Sequence, residues 1–136
     1  MSFNLKENAV TLPITTDCSG YQRQFVMGTT NGGVAPCNST TRPLGILLNQ
    51  TTGTSPAAQF GATVCFEGVT RLMVDASYAP FTYLVSDGTG VGTSAIGKDS
   101  KLIAARTLEA STQYGDVVAV MVWPGSSGTD ATVTSI

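Results

Sequence analysis

The chain has no histidine, and that absence excludes more than any motif adds. Ser-His-Asp and Cys-His nucleophile systems, HExxH metal sites and imidazole general bases all need it. Charge is scarce too. Asp, Glu, Lys and Arg make up 12% of the 136 residues, about half the roughly 25% of an ordinary soluble domain. Nine acids against seven bases give a net charge of −2. The bases (Lys6, Arg23, Arg42, Arg71, Lys98, Lys101 and Arg106) are scattered. Phosphate-backbone binding needs neighbouring cations, so no nucleic-acid partner is expected. Long apolar runs are lacking as well. The longest, Val117 to Trp123, falls far short of the roughly 20 residues of a membrane helix, and no membrane partner is expected. Met1 to Lys6 has no basic segment followed by an apolar one, so no secretory leader is expected either. Cys18, Cys37 and Cys65 form no CxxC pair. An odd, widely spaced set reads as free thiols, and neither a metal nor another cofactor is expected.

What is present points to one β-rich domain. Apolar residues reach 42%, and a chain of this mass is expected to fold to roughly 6,700 Å² of surface, enough burial for a core without staples. Abundant Ser, Thr, Asn, Gln and Gly are expected to wet the surface in place of charge. Gly and Thr punctuate short apolar runs, as in all-β domains. Strands are expected near Val10–Thr15, Gln24–Gly28, Leu44–Asn49, Ala62–Glu67, Thr70–Asp75, Thr82–Ser86, Lys101–Leu108 and Asp116–Trp123. The last is apolar on both faces, with Val118, Val120 and Val122 on one and Val117, Ala119, Met121 and Trp123 on the other. Such a strand is central in a sandwich or barrel, or is covered by another subunit.

Residues Asp99 to Glu109 admit two readings. Asp99 could cap a helix presenting Leu102, Ala105 and Leu108 on one face. A weak internal repeat favours strand: Leu44–Asn49 with Phe60–Phe66 matches Leu102–Ala110 with Tyr114–Val120, each copy being a strand, a polar loop, an aromatic-Gly pair and a second strand. The resulting expectation is an all-β fold, a compact single-domain β-sandwich or barrel over 16–136, with an extended N-terminal arm over 1–15. Pro124–Gly128 opens a tail in which Val133 and Ile136 could pair at an edge.

Little of the sequence promises chemistry. Gly92–Asp99 nearly matches the phosphate loop GxxxxGK[ST], but Asp99 replaces the hydroxyl that would ligate Mg²⁺, and a glycine-rich hairpin is expected instead. Paired carboxylates are the one catalytic route left, with Glu67, Asp75, Glu109 and Asp116 as candidates. Strand-end acids usually serve turns, and no enzyme is expected. Carbohydrate binding through Tyr78, Phe81, Tyr83 and Trp123 is the stronger rival. Phe81 and Tyr83, on one face, are nevertheless expected to pack in the core.

From Arg42 to Val122 the order of motifs carries a resemblance. Arg42-Pro43-Leu44-Gly45-Ile46-Leu47-Leu48 is followed by Gly61-Ala62-Thr63-Val64-Cys65-Phe66-Glu67-Gly68-Val69-Thr70-Arg71. An Ala-rich turn at Asp75–Pro80 precedes Leu84-Val85-Ser86-Asp87-Gly88. Ala104-Ala105-Arg106-Thr107-Leu108-Glu109-Ala110 and Gly115-Asp116-Val117-Val118-Ala119-Val120-Met121-Val122 close the series. This order resembles the small head-decoration, or capsid-cement, proteins of tailed bacteriophages. The strand at 104–110 departs from that pattern, lacking a glycine and carrying Arg106-Thr107 mid-strand. The resemblance implies a β-tulip-like domain that forms a homotrimer on the major capsid protein, on the virion surface, after assembly in the host cytoplasm. It brings no catalytic residues. A phage tail-fibre or adhesin-type carbohydrate-binding module is the alternative. Interface candidates are Phe3 and Leu5 in the arm, Tyr21, Gln22 and Arg23 beside it, and Val118, Val120 and Val122, for which burial within the single domain is an equal account.

Overall fold

In the computed structural model, residues 5–53, 61–122 and 132 are described. Phe3, Phe60, Trp123, residues 124–128, Val133 and Ile136 lie outside them. The strands are β1 (Lys6–Leu12), β2 (Phe25–Gly28), β3 (Val34–Pro36), β4 (Gly45–Leu47), β5 (Ala62–Met73), β6 (Tyr83–Ser86), β7 (Gly92–Ser94), β8 (Ala105–Thr107) and β9 (Val117–Val122). They form one curled antiparallel sheet, a half-barrel, in the order β3-β2-β4-β5-β9-β8-β6-β7, with β1 also pairing β5. The fold is all-β, as the sequence implies. The accessible surface of 6661 Å² is close to the area expected for a single compact domain of this mass.

β5 organises the sheet. It pairs with β1 from Ala62 to Val69, with β4 at Val64 and Cys65, and with β9 from Gly68 to Met73. The two strands expected at Ala62–Glu67 and Thr70–Asp75 are thus one, continuous through Gly68. Between Asn8 and Ala9 the register slips, leaving Phe66 as an extra residue on β5. Such a bulge bends a strand and reverses which alternate side chains face which side. Ala62 and Val64 accordingly fill one core cluster and Leu72 and Val74 the other. Gly68 sits at φ +110, and a Cβ there would lie 1.9 Å from the Lys6 carbonyl oxygen. Only glycine permits both that backbone and that approach.

The clusters lie on opposite faces of the β2-β4 region, since Phe25 and Ile46 belong to one while their chain neighbours Val26 and Leu47 belong to the other. The larger also takes Leu84, Ala105, Val118, Val120 and Val122 inside the curl. The smaller is lined by Ile14, Cys18, Val34 and Leu12. The expected arm over 1–15 is therefore corrected in part: Lys6–Leu12 is a strand of the sheet and Ile14 is buried. After Leu12 the chain leaves β5 for β3, where the Pro13 carbonyl accepts the Val34 N–H and Ile14 bridges Val34, so β1 ends at Leu12 rather than at Thr15.

The ambiguous segment resolves into both alternatives in miniature. Asp99 does cap a helix, its carboxylate accepting the Lys101 N–H, but only a single 3₁₀ turn at Ser100–Leu102. β8 follows at once and pairs with β6 and β9. Both halves of the weak repeat form antiparallel pairs, β4 with β5 and β8 with β9, and the long strand of each pair lies beside that of the other. The Gly68→Ala variant should lose about 2–3 kcal/mol of stability, read as a lowered urea midpoint at unchanged strand content.

Candidate functional site

Among the described residues the carboxylates are occupied by contacts within the fold. Asp116 accepts the N–H groups of Thr112 and Gln113 and the Thr112 hydroxyl, which holds its pKa below the usual carboxylate range. Asp17 serves the turn at Ser19 and Asp87 that at Thr89. Glu109 accepts the Ala119 N–H at 2.9 Å and lies 3.6 Å from Arg71. Asp75 takes the Tyr78 hydroxyl, Glu67 the Asn8 amide, and Glu7 both the Thr70 hydroxyl and Arg23. Among the described residues, no group of three Cys, Asp or Glu side chains is placed to hold a metal ion. The near-phosphate loop is β7 followed by a turn, with the Asp99 carboxylate turned to its own cap.

The large apolar side chains tell a different story. Phe81 is 55% exposed, Met121 44%, and Val117 39%, so Phe81 is not the core residue expected. Its backbone sits at φ +68, a left-handed conformation that costs a non-glycine residue about 1–2 kcal/mol. A buried threonine pair enforces it. The Thr107 hydroxyl accepts the Thr82 N–H at 2.8 Å and donates to the Ala79 carbonyl, which also accepts the Thr82 hydroxyl. The Phe81 N–H itself donates to the Thr107 carbonyl at 2.7 Å. Backbone strain of this kind persists only where the surroundings over-determine it, and such positions cluster at functional sites.

Arg106 completes the patch. Its Nε donates to the Phe81 carbonyl at 2.8 Å, and its guanidinium carbon lies 4.4 Å from the Tyr83 ring centre and 5.6 Å from that of Phe81. This is cation–π geometry. Strand register then carries a row across the sheet, from Tyr83 to Arg106, Met121, Val69 and Lys6. The patch is thus an outward sheet face with an exposed aromatic on a fixed backbone at one end. Its chemistry is contact: apolar area, a stacked cation and few mobile charges.

A second feature is an open groove of about 360 Å³ lined by Val10, Gly28, Arg42, Pro43, Leu44 and Phe66. Arg42 is anchored at its inner side by an Nε bond to the Ile103 carbonyl at 3.2 Å.

The sequence-derived interface residues fare unevenly. Leu5 is exposed beside β1. Arg23, at φ +65, reaches Glu7 at 3.3 Å and the Thr70 hydroxyl at 3.1 Å, so it does lie against the start of β1. Gln22 spends its amide on the Leu48 carbonyl, and Tyr21 packs on the smaller core cluster. Val118, Val120 and Val122 are corrected: they are buried in this chain's own core and leave nothing for a partner to cover. The opposite side chains of β9, Val117 and Met121, are the outward ones. Arg106 was the overlooked residue, and its signal was a lone charge within an otherwise apolar segment.

All three thiols are free and buried. Burial pushes Cys18 and Cys37 from 9.0 to about 11 and raises Cys65. A protonated thiol favours the fold, and the unfolded chain ionises first. That contribution is whole below pH 9.0 and lost as pH climbs towards about 11. Urea midpoints should therefore fall across that window, and less steeply in Cys37→Ala. Phe81→Gly should keep or raise stability by about 1 kcal/mol, because it relieves the left-handed strain; a loss above about 2 kcal/mol would make the ring a structural element instead. Compared with known proteins, the chain matches no family model and no curated sequence.

Proposed function

We propose that the chain is a structural virion protein that binds the outside of a bacteriophage capsid and stabilises it, working as a homotrimer on the major capsid protein. The observation that carries this reading is the contrast between described acids committed to turns, caps and cross-strand contacts and the outward patch of Phe81, Tyr83, Arg106 and Met121. A protein whose polar groups hold its own loops while rigid aromatic and apolar groups face outward is suited to covering a surface. The motif order from Arg42 to Val122 supports the choice of surface. A cement adds buried area at capsomer seams, each copy contributing modestly and many acting together.

The same patch also favours the rival, a tail-fibre or adhesin-type carbohydrate-binding module, because an aromatic ring beside a fixed guanidinium suits a sugar. Co-sedimentation with expanded empty heads tests the first reading and a glycan array the second. The chain should pellet with heads and have a solution mass that is a multiple of three times 14.0 kDa. Phe81→Gly should weaken head binding roughly tenfold, the effect of removing a rigid anchor worth about 1.4 kcal/mol. Specific glycan binding with no pelleting would replace the capsid reading by the adhesin one.

A further inference from the structure

A strand edge that faces outward carries unpaired N–H and C=O groups, and proteins cover such edges or recruit a partner to them. Two edges of this sheet are covered from within. On β3, Val34 receives the Thr15 and Thr16 N–H groups and donates to the Pro13 carbonyl, while Pro36 has no N–H to offer. On β7, the Gly92 carbonyl accepts the Asp75 N–H and the Ser94 N–H donates to the Tyr78 hydroxyl.

β1 is the exception. Its register with β5 turns the backbone groups of Lys6, Asn8, Val10 and Leu12 inward, as the close approach of the Lys6 carbonyl to Gly68 requires. Alternation then turns those of Glu7, Ala9 and Thr11 outward. Among the described residues nothing pairs with them, and every residue from Lys6 to Thr11 is exposed. The strand carries no proline to discourage pairing. Beside it lies the groove that Val10 shares with Leu44 and Phe66.

We propose that β1 joins two copies of this chain, antiparallel to its own counterpart about a two-fold axis at Ala9. A second copy has its β3 and β7 edges already covered, so among the described strands β1 is the edge it has to offer. A contact between identical edges is isologous. The sequence suits this register. Ala9 meets Ala9 of the second copy, Glu7 meets Thr11, Asn8 meets Val10, and Lys6 meets Leu12. No like charges face each other, and the two Glu7 residues stand about 14 Å apart along the strands. About six backbone hydrogen bonds form from groups that otherwise face water. The contact does not depend on the capsid reading. Should the chain be a trimer, β1 would tie one trimer to the next and double its mass.

The test uses the full chain. Ala9→Pro removes an outward N–H and none directed at β5, so the strand content and cooperative unfolding should hold while the mass by light scattering halves. Ala9→Cys places one new thiol from each copy at the axis. A short bifunctional maleimide should then give a two-chain product from Ala9→Cys and none from the native chain, whose thiols are buried. An unchanged mass in folded Ala9→Pro overturns the proposal, as does a native mass of a single chain at every concentration. If Ala9→Pro fails to fold, absence of the two-chain product from Ala9→Cys overturns it alone. Head binding is read separately, so loss of the capsid reading leaves this contact standing.

Discussion

The bend of β5 at Phe66–Gly68 is the constraint on which the rest of the molecule depends. A regular strand of twelve residues would send its even-numbered side chains to one face throughout. Here the extra residue reverses the alternation, so the strand begins in one core cluster and ends in the other. The first half can then lie between β1 and β4 while the second pairs with β9 and starts the curl. Gly68 pins the place of the reversal, because no other residue allows the Lys6 carbonyl so close. Everything downstream, including the outward direction of Val117 and Met121, follows from that choice of face.

The low charge has a structural meaning that composition alone conceals. Ser and Thr were expected to wet the surface, yet Thr70, Thr82, Ser86, Thr107 and Ser111 are buried. They act as connectors between loops and strands. Ser111 accepts the Tyr78 N–H and donates to the Ala76 carbonyl, and Ser86 donates to the Cys37 carbonyl. A hydroxyl both donates and accepts at one atom, so it can satisfy buried backbone groups without burying a charge. Short strands joined by polar loops need many such connectors. Abundant hydroxyls and scarce charges are two sides of one solution.

Much of the fold is legible in the residues. β2, β4, β6 and β9 fall inside the segments that alternation and turn signals mark out, and the paired halves of the repeat sit side by side in the sheet. β3 and β7 escape because each is only three residues long, too short to show a period, and each includes a residue that strands disfavour, Pro36 in one and Gly92 in the other; tertiary pairing makes them strands. Gly68 reads as a break because glycine in a strand pattern signals either a turn or a bulge, and the difference lies in a partner strand far away in sequence. The candidate site was half visible. The two faces of β9 can be written down from the sequence, but their purity cannot say which is inside. Three valines in alternation suited an interface as well as a core, whereas Val117 and Met121 flank a buried Ala119 and reach outward. Phe81 could not be foreseen outside, since its direction is set by a positive φ that the Thr82–Thr107 pair enforces.

That enforcement has an entropic consequence. A surface aromatic ordinarily samples several rotamers, and a partner must freeze them before it gains from the ring. Here Arg106 is bonded to the Phe81 carbonyl and stacked on Tyr83, and the backbone beneath the ring is fixed by buried hydroxyls. The backbone and Arg106 share of this ordering is completed during folding, so that share does not oppose association. To any partner, a surface arranged in this way would present a backbone that is already shaped. The lifetime of such a contact would be set by how well the partner's shape already fits, with little help from backbone adjustment on this side.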